Sequence, residues 1–156
     1  MNALDILKRC RAAGDEIERL QQRIEQRREV LTGISAPLAD PNGGSRGSAD
    51  PDKYGRVMGE IDELERKLEA RREAENVEKV AAVSLLDMLP QLESKILHLY
   101  YVKKKDTTEI ARSEKYQTGY VRKKKREAEQ LLDMLSPECV RGTLPAWYIK
   151  ETEGRK

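Results

Sequence analysis

The stretch Asp106–Glu129, "DTTEIARSEKYQTGYVRKKKREAE", decides how this chain is read. It opens with a helix-capping signature. Asp106 offers an acceptor to an orphan backbone donor, and Glu109, three residues on, can reach back to another. The helix predicted from it is short, Thr107–Ser113. A second helix is predicted to start near Thr118 and to run to Leu135. Ala111, four residues before the turn position Lys115, is small enough to let the two helices cross closely. Ile110, Ala111, Tyr116, Val121 and Ala128 would supply the apolar core of that crossing. Thr118, Gly119, Arg122, Lys123 and Arg126 would then face solvent. The second helix carries five consecutive cations, Arg122 to Arg126. Successive residues advance about 100° around a helix, so five cannot share one face. Lys124 and Lys125 are the members expected to point along a phosphate backbone or into solvent.

Charge is concentrated around the same stretch. Residues 103–126 hold ten Lys/Arg against three acids, a local +7 in a chain whose net charge is only +2. Such asymmetry is the electrostatic footprint of a polyanion reader. Lys103, Lys104 and Lys105, just before the first short helix, are placed to touch phosphates. The alternative reading of a charge run is a solvated helix face.

Outward from there, the composition favours long helices with narrow apolar seams over a large globular core. Charged residues make up 37% and aromatics 4%, with no Phe. In residues 1–31, apolar side chains recur at Ala3, Ile6, Cys10, Ala13, Ile17, Leu20, Ile24 and Leu31. The alternating spacing of three and four is that of a helix needing a partner, and Arg27 is the one break. Gly14 weakens it by about 1 kcal/mol relative to Ala. Residues 32–52, rich in Pro, Gly and Ser, read as a long loop. Residues 53–88 return to helix through Tyr54, Val57, Ile61, Leu64 and Leu68, then Val77, Val80, Ala81, Ser84, Leu85 and Met88. An antiparallel helical hairpin is the simplest arrangement, and the same seam allows a homodimer through these helices. Residues 89–135 form the compact piece that holds the opening stretch, with Pro90 marking a new helix start. The tail, 136–156, carries Leu144, Trp147, Tyr148 and Ile149, which should dock on the chain's own core or on a partner.

Several function classes lack a signal. No nucleophile–base pair, phosphate loop or carboxylate cluster stands out, so no catalytic residue is assigned and an enzyme is not expected. The one histidine, His98, and two distant cysteines, Cys10 and Cys139, give no metal-ligand spacing, so no metal and no cofactor are expected. No uninterrupted apolar run of about 18 residues exists, so no membrane span is expected. The first residues lack the apolar run of a signal peptide.

The segment "LPQLESKILHLYYVKKKDTTEIARSEKYQTGYVRKKKREAEQLLDML" resembles region 4 of sigma-70-type factors. The matching features are Leu89-Pro90, then Ile96-Leu97 with Leu99 and Tyr101, then Thr108-Glu109-Ile110-Ala111, then Val121 followed by basic residues and Ala128. The chain is also similar to small phage and prophage regulators of the ArpU and RinA type of late-gene activator. Three positions depart from the pattern. Lys115 stands at a turn that favours glycine, Lys125 where leucine is usual, and Gln117 where Ser or Thr usually caps.

The resemblance implies an all-α protein with a helical hairpin or coiled coil followed by a sigma-region-4-like helix-turn-helix. It implies a DNA-binding transcriptional regulator in the cytoplasm of a bacterial host, reading promoter DNA, with RNA polymerase as a candidate partner. Thr118, Gly119, Arg122, Lys123 and Arg126 would lie at the major groove, with Lys103, Lys104 and Lys105 on phosphates. Two rivals stand beside it: a DNA-packaging recognition subunit like a small terminase, and a helical adaptor whose basic helix binds an acidic protein.

Overall fold

The computed structural model describes residues 2–35 and 51–154. Every regular element among them is helical. They are α1 (Ala3–Ser35), α2 (Pro51–Leu86), α3 (Gln91–Leu97), a π-helical turn (His98–Val102), α4 (Thr107–Glu114), α5 (Thr118–Asp133), α6 (Pro137–Thr143) and α7 (Ala146–Gly154). The all-α expectation therefore holds. α1 runs past the predicted end at Leu31 to Ser35, and within this extension the Thr32 hydroxyl donates to the Arg28 carbonyl at 3.1 Å. α2 starts at Pro51, whose missing N–H costs nothing in a first turn. Residues 36–50 of the predicted loop lie outside the described residues.

The chain divides into two compact units, one of residues 16–73 and one of residues 1–15 with 74–156. In the first, Ile17, Leu20 and Ile24 of α1 close on Val57, Ile61, Leu64 and Leu68 of α2. The helices run in opposite directions there, as their ion pairs show. Glu16 meets Arg71 at 3.1 Å, Arg27 meets Glu60 at 3.1 Å, and Arg28 meets Glu65 at 3.0 Å. Arg27, the break in the apolar seam, is thus a cross-helix ion-pair member. These side chains are about half exposed, so each pair contributes at most about 1 kcal/mol. The apolar seam carries the packing energy.

The second unit holds the larger core. Ala3, Ile6, Leu7 and Cys10 of α1 pack with Ala81, Ala82, Leu85 and Leu86 of α2, with Leu97, Tyr101 and Val102, and with Ala128 and Leu132 of α5. On α2 the buried ridge is rotated from the predicted one. Val80 and Met88 are exposed, while Ala82 and Leu86 are buried. The small residues let the neighbouring elements approach closely. The tail docks on this same core through Val140, Leu144 and Tyr148, while Trp147 stays exposed. Ser136 caps α6 by accepting from the Cys139 N–H at 3.2 Å, and Pro137 follows at the first position. The Tyr148 hydroxyl donates to Glu78 at 2.8 Å and accepts from Arg9 at 3.3 Å, tying α7 to α2 and α1. Burial and Glu78 push the Tyr148 phenol up to about 12.

Local geometry sets the behaviour of two positions. Burial pushes the Cys10 thiol up to about 11, while Cys139 is exposed. Thiol titration near pH 8 should label one cysteine quickly in the folded protein and two after denaturation. Separately, Lys115 sits at φ 61°, where a side chain crowds its own backbone. Lys115→Gly should raise stability by about 1 kcal/mol in a denaturant titration.

Candidate nucleic-acid interface

α4 and α5 are joined by only three residues, Lys115 to Gln117. Asp106 accepts from the Glu109 N–H at 2.8 Å and starts α4 as the capping signature requires. α4 ends at Lys115 in the left-handed conformation, and the Tyr116 N–H returns to the Ala111 carbonyl at 2.9 Å. That closure fixes the turn without a glycine. Gln117 then enters α5 in extended conformation, with no side-chain cap. The helices meet through Ile110, Ala111 and Val121, joined by Ile96 of α3. Tyr116, expected in this core, is instead 40% exposed. It lies in the turn, where helical spacing no longer dictates direction. Ala128 belongs to the larger core rather than to the crossing.

α5 divides its cations. Val121, Ala128 and Leu132 form its buried ridge. Lys124 and Lys125 flank that ridge and turn inward. Lys124 lies 3.3 Å from Glu127 and 3.7 Å from Glu93. The hydrogen bond to Glu127 raises its pKa. Lys125 meets Glu129 at 2.6 Å and holds its ammonium 4.3 Å from the Tyr100 ring centroid. The Lys125 stem thus lies along the edge of the core, its head neutralised by Glu129 and faced by an aromatic ring. Arg122, Lys123 and Arg126 are exposed, and none has an ion pair or side-chain hydrogen bond among the described residues. Gly119 lies on the same outward face, and Thr118 is half-buried beside it.

The three lysines before α4 also separate. The π-helical turn ends with the Lys103 N–H on the His98 carbonyl and the Lys105 N–H on the Leu99 carbonyl, both at 3.0 Å. Lys103 is exposed and Lys105 half-buried. Lys104, expected on phosphate, is instead tied into its own unit. Its side chain is only 13% exposed and its ammonium lies 3.3 Å from Asp15. Its stem crosses α1 at Gly14 and occupies the space a Cβ would fill. The glycine that weakens α1 is what lets this loop lie down. Arg11 completes the brace, donating to the Tyr100 carbonyl at 2.9 Å and stacking 3.9 Å above the Tyr100 ring. The Tyr101 hydroxyl donates to Glu129 at 2.7 Å. His98 is partly buried near Lys103, and both effects lower its pKa.

Two features of this surface were left out of the contact set expected from the sequence. Arg112 and Lys115 add exposed cations at the end of α4. Tyr116 and Tyr120 form an exposed aromatic pair, ring centroids 5.3 Å apart and tilted by 52°. Their separation of four residues was the available signal. No group of three metal-ligating side chains occurs among the described residues, and no helix there is long and apolar enough to cross a membrane. Comparison with family models, with curated proteins and with solved structures returned no match.

The inward and outward cations should separate in stability measurements. Lys125→Ala removes an ion pair and a cation–π interaction and should cost about 1–2 kcal/mol in denaturant titration. Lys123→Ala should change stability by less than about 0.5 kcal/mol.

Proposed function

We propose that this chain is a DNA-binding transcriptional regulator, encoded by a phage or prophage and acting in the bacterial cytoplasm. In this reading α4 and α5 form a sigma-region-4-like helix-turn-helix with α5 as the reading helix. α1 and α2 form the accompanying hairpin. The observation that carries the reading is the division of the basic run. Two of its five cations are consumed by internal acids, and the remaining three stand exposed and unpaired on the outward face of one firmly packed helix.

In this reading Arg122 bridges guanine O6 and N7, and Lys123 and Arg126 reach bases or phosphates. Lys103 is the exposed phosphate-binding residue before α4, with Lys105 behind it. Lys104 takes no part, since its charge is matched by Asp15. The apolar seam of α1 and α2 is closed within one chain. A homodimer that supplied a second half-site would therefore use a different surface, and RNA polymerase is the other candidate for adding affinity.

The test is fluorescence anisotropy on duplex fragments tiled across the protein's genomic neighbourhood, at several salt concentrations. One fragment should bind far more tightly than the rest, with affinity falling steeply as salt rises. Arg122→Ala/Lys123→Ala should level that preference, each hydrogen-bonded base being worth about 1–3 kcal/mol. Absence of salt-dependent binding to any duplex would defeat the reading and favour an adaptor for an acidic protein.

A further inference from the structure

Charge alone leaves an exposed aromatic pair without a role. Tyr116 and Tyr120 are 40% and 38% exposed and lie beside the basic face of α5. Their rings lean on each other at 52°, and the Lys124 ammonium stands 5.8 Å from the Tyr120 ring. Each ring therefore has a neighbour, and the pair offers a compact apolar edge more than an open stacking platform. Neither hydroxyl is hydrogen-bonded among the described residues.

Next to Tyr120 the helix is bare. Gly119 is exposed, adopts an ordinary helical backbone, and a Cβ built on it would meet nothing within 4 Å. The fold gains nothing from glycine here, and alanine is the better helix former. A bare backbone one residue before Tyr120, with Arg122 and Lys123 exposed on the following turn, suits a small apolar group carried on a polyanion. In duplex DNA that group is the thymine 5-methyl, the one apolar marker displayed in the major groove.

Resting on the DNA-binding reading, we propose that Gly119 and the Tyr116–Tyr120 pair form a seat for a thymine methyl group. Arg122 and this seat would then read neighbouring positions of one site, one by hydrogen bonds and the other by apolar packing.

The experiment starts from the tightest duplex of the tiled set and replaces its thymines with uracil, one position at a time. Pairing is kept and only the methyl is removed, and the protein itself is unaltered. One or two positions should lose about fourfold in affinity, the value of one buried methyl. Tyr120→Ala should bring the thymine-to-uracil ratio at those positions close to one. Gly119→Ala should melt no lower than the unaltered protein, yet bind the thymine duplex more weakly and the uracil duplex almost as well as before. Equal affinity for thymine and uracil at every position, with tight duplex binding retained, would overturn this proposal and leave the DNA-binding reading standing. Preference for single strands over the duplex would overturn it in favour of base stacking on the tyrosines. Failure to bind any duplex would overturn both.

Discussion

The burial of Val121, Ala128 and Leu132 along one ridge of α5 is the interaction on which the rest of the basic surface depends. Val121 seals the crossing with α4, and Ala128 and Leu132 enter the larger core with α1 and α2. One helix is thus gripped at both ends by two apolar clusters. Turning it by one residue, about 100°, would withdraw these side chains and push Arg122 or its neighbours toward the interior. An unpaired buried charge costs far more than the helix could recover. The ridge therefore decides which cations face out.

The flanks of that ridge show how the remaining charge is managed. Lys124 and Lys125 sit too close to the core to be fully solvated, and acids from α3 and α5 meet them there. The Tyr100 ring faces the Lys125 ammonium and also takes the Arg11 guanidinium. The same neighbourhood explains the loop before α4. Its left-handed residue, Lys104, is strained on its own. It is held because its stem lies across Gly14 and its head meets Asp15. α1 acts here as a brace: its first turns hold the loop and the π-helical turn from which Lys103 projects.

The unit formed by residues 16–73 works by a different balance. Its seam is narrow, seven buried apolar residues among those described, with Leu31 at the margin. Its ion pairs are solvated and add little energy. They fit the antiparallel direction, with Glu16 meeting Arg71 and Arg27 meeting Glu60.

Much of this was legible in the amino-acid order because helices carry their buried face as a period. The three-and-four spacing of α1, the Asp106 cap and the Ala111–Val121 spacing each reflect neighbours a few residues apart, and so they survive in one dimension. The solvent-facing set Arg122, Lys123 and Arg126 was readable for the same reason. What only the tertiary structure decided involves residues far apart in the chain. Lys104 belongs to Asp15 and Gly14, at the other end of the sequence. The α2 ridge rotates onto Ala82 and Leu86 because elements distant in the chain cover that side of the helix. Tyr116 leaves the core because it lies in a turn, where no period applies. Long-range electrostatic partners and close approaches leave no repeat in the sequence, so the folded chain alone determines which lysine is matched and which faces solvent.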